Sequence, residues 1–276
     1  MYAYARSRYS TRMNLIRPFL ILITSVALSG CGDREPIQVN NWRIDTGHSL
    51  TQPIKILHIS DIHYQEDTGP AVMAELANIA GATRPDIIAI TGDLTGENAV
   101  VTDRIRPTII DGLERLSEGR RAFVTLGNHE HYTHTEKWLT DLSRSSLELI
   151  EGYSQIITIR GVDVCVRGLG DAFTGQFRHV PFSQDCRGIK LTQTHDPEAV
   201  QSDPESGVYL AGHSHCGQIS LPLIGAPWMP TKASEEYQCG YGSDGDKTWI
   251  TSSGVGTTFF DIRIGTTASV ELIELY

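Results

Sequence analysis

Five times this chain runs through a short apolar segment and breaks off into polar, chemistry-bearing residues. Residues 54–60 are followed by Asp61-Ile62-His63, residues 86–91 by Gly92-Asp93, and residues 121–126 by Gly127-Asn128-His129-Glu130. Residues 188–194 lead into His195, and residues 207–211 into Gly212-His213-Ser214-His215. Near-continuous apolar runs of this length read as strands buried on both faces. Helical patterns separate the first three: residues 70–82, with Val72, Leu76, Ile79 and Ala80 at helical spacing, and residues 102–116, where Pro107 marks a break or a restart. Strand, loop and helix alternate, which is an α/β pattern whose ligands collect outside the carboxyl ends of the strands.

The second half is richer in strands, expected at 147–150, 155–160, 162–168, 188–194, 207–211, 218–221, 248–253 and 269–275, with a further one at 42–44. Two packed sheets with helices outside account for that number. Residues 222–247 lack periodicity and read as a long loop, which is usually functional. Trp228, Met229, Tyr237 and Tyr241 on it are candidates for a substrate mouth.

His213 and His215 stand two residues apart at the end of an extended run, so their imidazoles point the same way. The span of roughly 7 Å is too wide for one ion and better suited to two side by side. Alone, an HxH pair reads as two satisfied histidines on a turn, and a D-x-H or GD pair is no more specific. The GNHE tetrad is more telling, because asparagine beside histidine after a strand has no packing reason to be there. His58 lies mid-strand and reads as a core histidine. His131 and His134 read as solvated loop residues, and Tyr132 and Trp138 as core.

The first 32 residues hold Arg6, Arg8, Arg12 and Arg17, an apolar run from residue 18 to 28, and no acidic residue. That is a signal-peptide pattern, too short for a membrane span. It ends in Leu28-Ser29-Gly30-Cys31, similar to a bacterial lipoprotein signal with an acylated Cys31, and Met13 is an alternative start. The expected organisation is a leader over residues 1–30, a tether over 31–53 and one domain over 54–276, exported and lipid-anchored to the cell envelope. Export makes disulfides possible among Cys165, Cys186, Cys216 and Cys239. Three pairings are open. Cys165, in an apolar run, also reads as a buried free thiol, and Cys216 as a partner of Cys239 or a packed thiol. The net charge of −10 argues against nucleic acid as a partner.

Taken together, Asp61-Ile-His63, Gly92-Asp93, Gly127-Asn128-His129-Glu130, Thr194-His195 and Gly212-His213-Ser-His215 resemble the calcineurin-like metallophosphoesterases over residues 54–275. Within them the chain is most similar to the small bacterial phosphodiesterase branch of YkuE and YaeI type. That resemblance implies a four-layer αββα sandwich with two divalent ions (Mn, Fe or Zn). Asp61, His63 and His215 would hold one ion, Asn128, His195 and His213 the other, and Asp93 would bridge them. It further implies attack by a metal-bridged hydroxide and His129 as general acid, oriented by Glu130 or Asp61. The expected substrate is a small phosphorylated compound or, on a lipid-anchored chain, a lipid-linked phosphodiester or pyrophosphate. The little room left for a nucleoside-recognition domain favours a phosphodiesterase over a phosphomonoesterase or nucleotidase. A non-catalytic envelope lipoprotein is disfavoured because every ligand position is filled.

Overall fold

The structure is a computed structural model and describes residues 35–276. The leader with Cys31 lies outside the described residues. Two six-stranded sheets pack face to face. The first contains β1 (Gln38–Ile44), β2 (Ile54–Ile59), β3 (Ile87–Ile90), β4 (Arg121–Val124), β5 (Glu148–Leu149) and β12 (Ser269–Leu275), in the order β1-β12-β2-β3-β4-β5. The second contains β6 (Ser154–Ile159), β7 (Val162–Gly168), β8 (Ile189–Gln193), β9 (Gly207–Ala211), β10 (Gly240–Asp244) and β11 (Lys247–Thr251), in the order β10-β11-β9-β8-β7-β6. In the first, β2, β3, β4 and β5 pair in parallel and β12 runs antiparallel to β2. In the second, β7, β8, β9 and β11 are parallel, with β6 and β10 antiparallel at the edges. The two parallel cores deliver their strand ends to one rim.

Alternation along each strand builds the layers. Ile54 and Ile56 of β2 face the second sheet and meet Val164, Leu191 and Leu210, while Leu57 and Ile59 face the helices. That outer layer is α1 (Gly69–Thr83), α2 (Ala99–Leu116) and α4 (Thr135–Leu142). Pro70 opens α1, where its missing N–H costs nothing, and Arg84 closes it in a left-handed conformation. The Asn98 side chain caps α2 by accepting from the Val100 and Val101 amides at 3.1 Å, and the helix runs unbroken through Pro107. Over the second sheet the cover is thin. It is the six-residue α5 (Pro197–Ser202), whose Ala199 and Val200 pack on Tyr209, Ala211 and Trp249. The architecture is thus the expected α/β four-layer sandwich with one outer layer much reduced.

Several local expectations change. The segment before residue 54 supplies a full strand, β1, which pairs with β12. Residues 218–221 make only isolated bridges, Ile219 to Ile264 and Leu221 to Gly225. Residues 222–247 are not a single loop, because β10 pairs with β11 there. Their periodicity is invisible because β10, Gly-Tyr-Gly-Ser-Asp, carries little apolar surface at an exposed edge. Cys165 is no free thiol: it is bonded to Cys186, and Cys216 to Cys239. Among the described residues no helix is long and apolar enough to cross a membrane.

Candidate metal centre

The rim where the parallel strands end holds all five polar clusters. The loops after β2, β3 and β4 carry Asp61 and His63, Asp93, and Asn128 with His129; those after β8 and β9 carry His195, and His213 with His215. The loops hold one another in register. The Asp61, His63 and Tyr64 amides donate to the carbonyls of Gly92, Asp93 and Leu94 at 2.9–3.0 Å. Glu130 lies beneath and accepts from the backbone amides of Asp93, Leu94 and Gly127 at 2.8–2.9 Å. That explains its place in the tetrad: Glu130 clamps the loop after β3 to its own loop after β4 and makes no bond to the His129 ring. Burial pushes its carboxyl up to about 7, with Asp93 adding to the effect.

Asp61, His63, Asp93, His213 and His215 all adopt positive φ, between 43° and 64°. This corrects the extended-strand picture of the HxH pair. A left-handed backbone, which costs a non-glycine residue about 1 kcal/mol or more, turns each ligand-type side chain inward. Gly127 and Gly212 have their own requirement: a methyl at Gly127 would drive into the Asp93 carboxylate, and one at Gly212 into Ser60 and Asp61.

The seven side chains form two groups that share Asp93. In the first, His63 Nε2 is 3.0 Å from His215 Nε2, and both face Asp61 Oδ1 at 3.9 and 3.5 Å. In the second, His195 Nε2 is 3.2 Å from His213 Nδ1 and 3.1 Å from Asn128 Oδ1. Asp93 stands between, with Oδ2 at 3.6 Å from His63 Nε2 and Oδ1 at 3.3 Å from His195 Nε2. Asp61, His63 and His215 could hold one cation, and Asp93, His195 and His213 another. A third set, His63, Asp93 and His129, overlaps both.

The second group fits a cation on its own hydrogen-bond count. His195 Nδ1 lies 2.6 Å from the Thr91 carbonyl and His213 Nε2 lies 2.8 Å from the Pro230 carbonyl. Only a protonated nitrogen donates to a carbonyl, so in the neutral rings the facing His195 Nε2 and His213 Nδ1 are lone pairs. With Asn128 Oδ1 and Asp93 Oδ1 they make four acceptors around one point, an arrangement that repels itself unless a cation or proton sits there. The protein's own answer is visible in the electrostatics. Burial disfavours a charged His195, yet Asp93, Asp61 and Asp171 outweigh it and raise its pKa well above the ordinary range. Burial would likewise raise Asp93, but His195, His129 and His63 hold it well below the usual carboxylate range. In the first group burial pushes His63 down to about 4 and His215 down to about 3, so both rings are neutral and available as ligands near pH 7. Arg263 complicates this group. Its Nη2 lies 3.3 Å from His215 Nδ1, a pairing that favours the proton on Nε2, so a cation at Nε2 requires the Arg263 contact to give way.

His129 points its Nε2 into the cavity, 3.7 Å from Asp93 Oδ2 and 3.8 Å from Glu97 Oε1, and its buried Nδ1 has no partner. Neither Glu130 nor Asp61 orients it. His58 is a core histidine as expected, with Nε2 2.8 Å from Thr91 Oγ1. His131 is not in a solvated loop: it sits in the short helix α3 (Asn128–Tyr132), mostly buried, 3.8 Å from Glu151. Tyr132 is not core either; it is half exposed and lines the cavity with Phe173, Trp228, Phe259 and Phe260. That cavity, about 370 Å³, opens directly onto Asp93, Asn128, His129, His213 and His215. Tyr237 and Tyr241 face elsewhere, stacked on Trp249 and Trp42. Glu97, Phe173, Thr258, Phe259, Phe260 and Arg263 had no sequence signal, because they lie on loops that only the tertiary fold brings to the rim.

The calcineurin-like phosphoesterase family matches the chain over residues 54–217. Phosphodiesterase YaeI of Escherichia coli is 26% identical over 81% of this chain and 82% of its own length. The metallophosphoesterase YkuE of Bacillus subtilis is 23% identical over 75% of this chain and 71% of its own length. UDP-2,3-diacylglucosamine pyrophosphatase LpxG of Chlamydia muridarum is 24% identical over 66% of this chain and 69% of its own length. With the family match spanning more than half of its length, this chain belongs to the calcineurin-like phosphoesterases, a family of hydrolases that bind divalent metal ions.

Proposed function

We propose that the chain hydrolyses a phosphodiester or pyrophosphate bond at a two-cation centre. Asp61, His63 and His215 hold one cation, Asn128, His195 and His213 the other, and Asp93 both. The observation that carries this reading is the division of the Asp93 carboxylate, one oxygen toward each group of imidazoles. Mixed imidazole and oxygen donors suit Mn, Fe or Zn. When bound, such a pair stabilises charge on phosphoryl oxygens and lowers the pKa of water towards neutrality.

The chain's own side chains do the remaining work. His129 Nε2, facing the cavity, gives a proton to the leaving oxygen as that P–O bond breaks and water oxygen forms the new one; the proton that the water loses passes to solvent, from which His129 is reprotonated. Neutral His63 offers its Nε2 lone pair to metal, and neutral His215 does so once Arg263 releases its Nδ1. The Thr91 and Pro230 carbonyls fix which nitrogens of His195 and His213 face inward. The activities named for YaeI and LpxG support a diester or pyrophosphate over a monoester. Two disulfides support an oxidising compartment, and with it the reading of an exported chain tethered through Cys31.

The test is metal analysis of the purified protein, followed by hydrolysis of bis(p-nitrophenyl) phosphate against p-nitrophenyl phosphate. Two bound divalent ions per chain and a preference for the diester are expected. A preference for the monoester would replace the reading with a phosphomonoesterase, and a metal-free, inactive protein would end it.

A further inference from the structure

The loops beside the cavity expose an apolar surface that the hydrolytic chemistry does not use. Residues 219–231 hold no charged side chain, and residues 254–264 hold only Asp261 and Arg263. Arg263 turns inward, donating to the carbonyls of Ser253, Gly254 and Gly256. Trp228, Phe259 and Phe260 are 62%, 74% and 67% exposed, and Leu223 at the tip of the Leu221–Gly225 turn is fully exposed. Leu223 also has φ 71°, a conformation leucine avoids and no core contact requires.

The two loops form one body. Ile219 and Ile264 bridge their backbones. The Gln218 side-chain amide nitrogen lies 2.9–3.0 Å from the carbonyls of Thr258, Phe260 and Ile262, and its Oε1 accepts from Thr258 N at 2.8 Å. The Trp228 and Phe259 rings meet edge to face at 6.3 Å. Gln218 lies three residues past His215, so this surface is mounted directly on the metal centre. The cavity that reaches His129 and His213 has its apolar wall on the same side, built of Ile219, Trp228, Phe259 and Phe260.

We propose that these loops dock on a lipid layer and that the cavity takes a phosphoester bearing a long hydrocarbon chain. The proposal rests on the phosphoesterase reading for its second half only. Three features select lipid. Aromatic and branched side chains on protruding turns suit the boundary between head groups and acyl chains. The near absence of charge suits a neutral or zwitterionic surface rather than a polar partner. And Trp228, Phe259 and Phe260 belong both to the exposed patch and to the cavity wall, so a hydrocarbon chain passes from the layer towards the catalytic rim along apolar side chains.

The test uses the full chain with manganese and phosphatidylcholine vesicles. A lipidated Cys31 would itself carry the chain to vesicles, so the readout is tryptophan emission rather than sedimentation. Trp138 and Trp249 are buried and Trp42 is stacked on Tyr241, which leaves Trp228 as the reporter. A blue shift on vesicle addition is expected, lost in Trp228→Phe and weakened in the Leu223→Asp/Ile224→Asp double variant. Leu223 and Ile224 lie outside the cavity, so the double variant should hydrolyse bis(p-nitrophenyl) phosphate at the original rate. On p-nitrophenyl hexadecyl phosphate presented in the vesicles it should lose about tenfold or more. No shift in the unaltered protein overturns the proposal, as does an equal loss on both substrates. So does a dimer in solution that Leu223→Asp dissociates, because the patch is then covered by a second copy. A shift without hydrolysis of either substrate overturns the phosphoesterase reading and leaves lipid docking standing.

Discussion

His129 is the residue whose role the geometry states most sharply. Its Nε2 faces both the cavity and the Asp93 carboxylate, and with His63 and Asp93 it forms a group able to hold a cation. A general acid and a ligand respond differently to removal. As the acid, His129→Ala lowers kcat by about 10²–10⁴ while metal content, read by elemental analysis, stays at two ions. Loss of an ion in that variant makes it a ligand. Glu151 offers a second residue-scale test, on stability. Burial pushes its carboxyl from 4.5 up to about 7, with Asp171 and Glu130 adding, although it accepts from Leu126 N at 2.8 Å. Below about 4.5 the folded and unfolded chains both hold the proton. As pH rises towards 7 the unfolded chain ionises first, so stability is lost across that window, by about 3 kcal/mol at most. Glu151→Gln keeps an acceptor for Leu126 N and has nothing to ionise. It should therefore match the original protein in denaturant melts at pH 4.5 and exceed it at pH 8.

At the scale of elements, what was legible in the sequence was whatever an element carries within itself. The strands that bear Asp61, Asp93, Asn128, His195 and His213 announce themselves by apolar runs that end abruptly, and α1 and α2 by helical patterning, although α2 starts three residues before its expected start, behind the Asn98 cap. What could not be read was set by partners distant in the chain. The HxH pair converges through left-handed turns held by Asp61, which accepts from the His213 amide at 3.0 Å, and not through extended backbone. The strand β10 exists because β11 offers it an edge. The choice of disulfides belongs here too. Cys216 follows His215 directly, and its bond to Cys239 ties the metal-centre turn to the start of β10; Cys165–Cys186 ties β7 to a loop remote from the rim. The bonds close segments of similar length, with sequence separations of 23 and 21, so each should stabilise the chain by about 3 kcal/mol. Their functional effects should nevertheless diverge. Replacing Cys216 and Cys239 by serine should lower both melting temperature and metal affinity, while replacing Cys165 and Cys186 lowers the melting temperature alone. Calorimetric titration with manganese on both variants separates the two, and equal affinities would show that the turn needs no tie.

Across the whole molecule the centre joins the two sheets. β2, β3 and β4 of one sheet and β8 and β9 of the other present their ligand-type residues to a single point, where polar links already cross: Gln193 Nε2 donates to the Phe123 carbonyl at 3.1 Å, His195 Nδ1 lies 2.6 Å from the Thr91 carbonyl, and the His213 amide donates to Asp61 at 3.0 Å. Two buried carboxylates, Asp61 and Asp93, repel each other there and are compensated by the surrounding imidazoles and by the backbone amides of His213 and His129. Cations at this point would remove that repulsion and tie the sheets together, so they should stabilise the fold as well as its chemistry. A ligand present at 100–1,000 times its dissociation constant adds about 2.7–4.1 kcal/mol, which for a domain of this size is roughly 5–15 °C in melting temperature. Chelation should lower the transition by that amount, and added manganese should restore it. Asp93→Asn sharpens the test. It removes a carboxylate that His195, His129 and His63 hold well below its usual range, so its chelated form should melt lower than the chelated original, and metal should give it little or no increase. If the original protein melts at the same temperature with and without chelator, the rim is held together by its hydrogen bonds, and the cation contributes to chemistry without contributing to the fold.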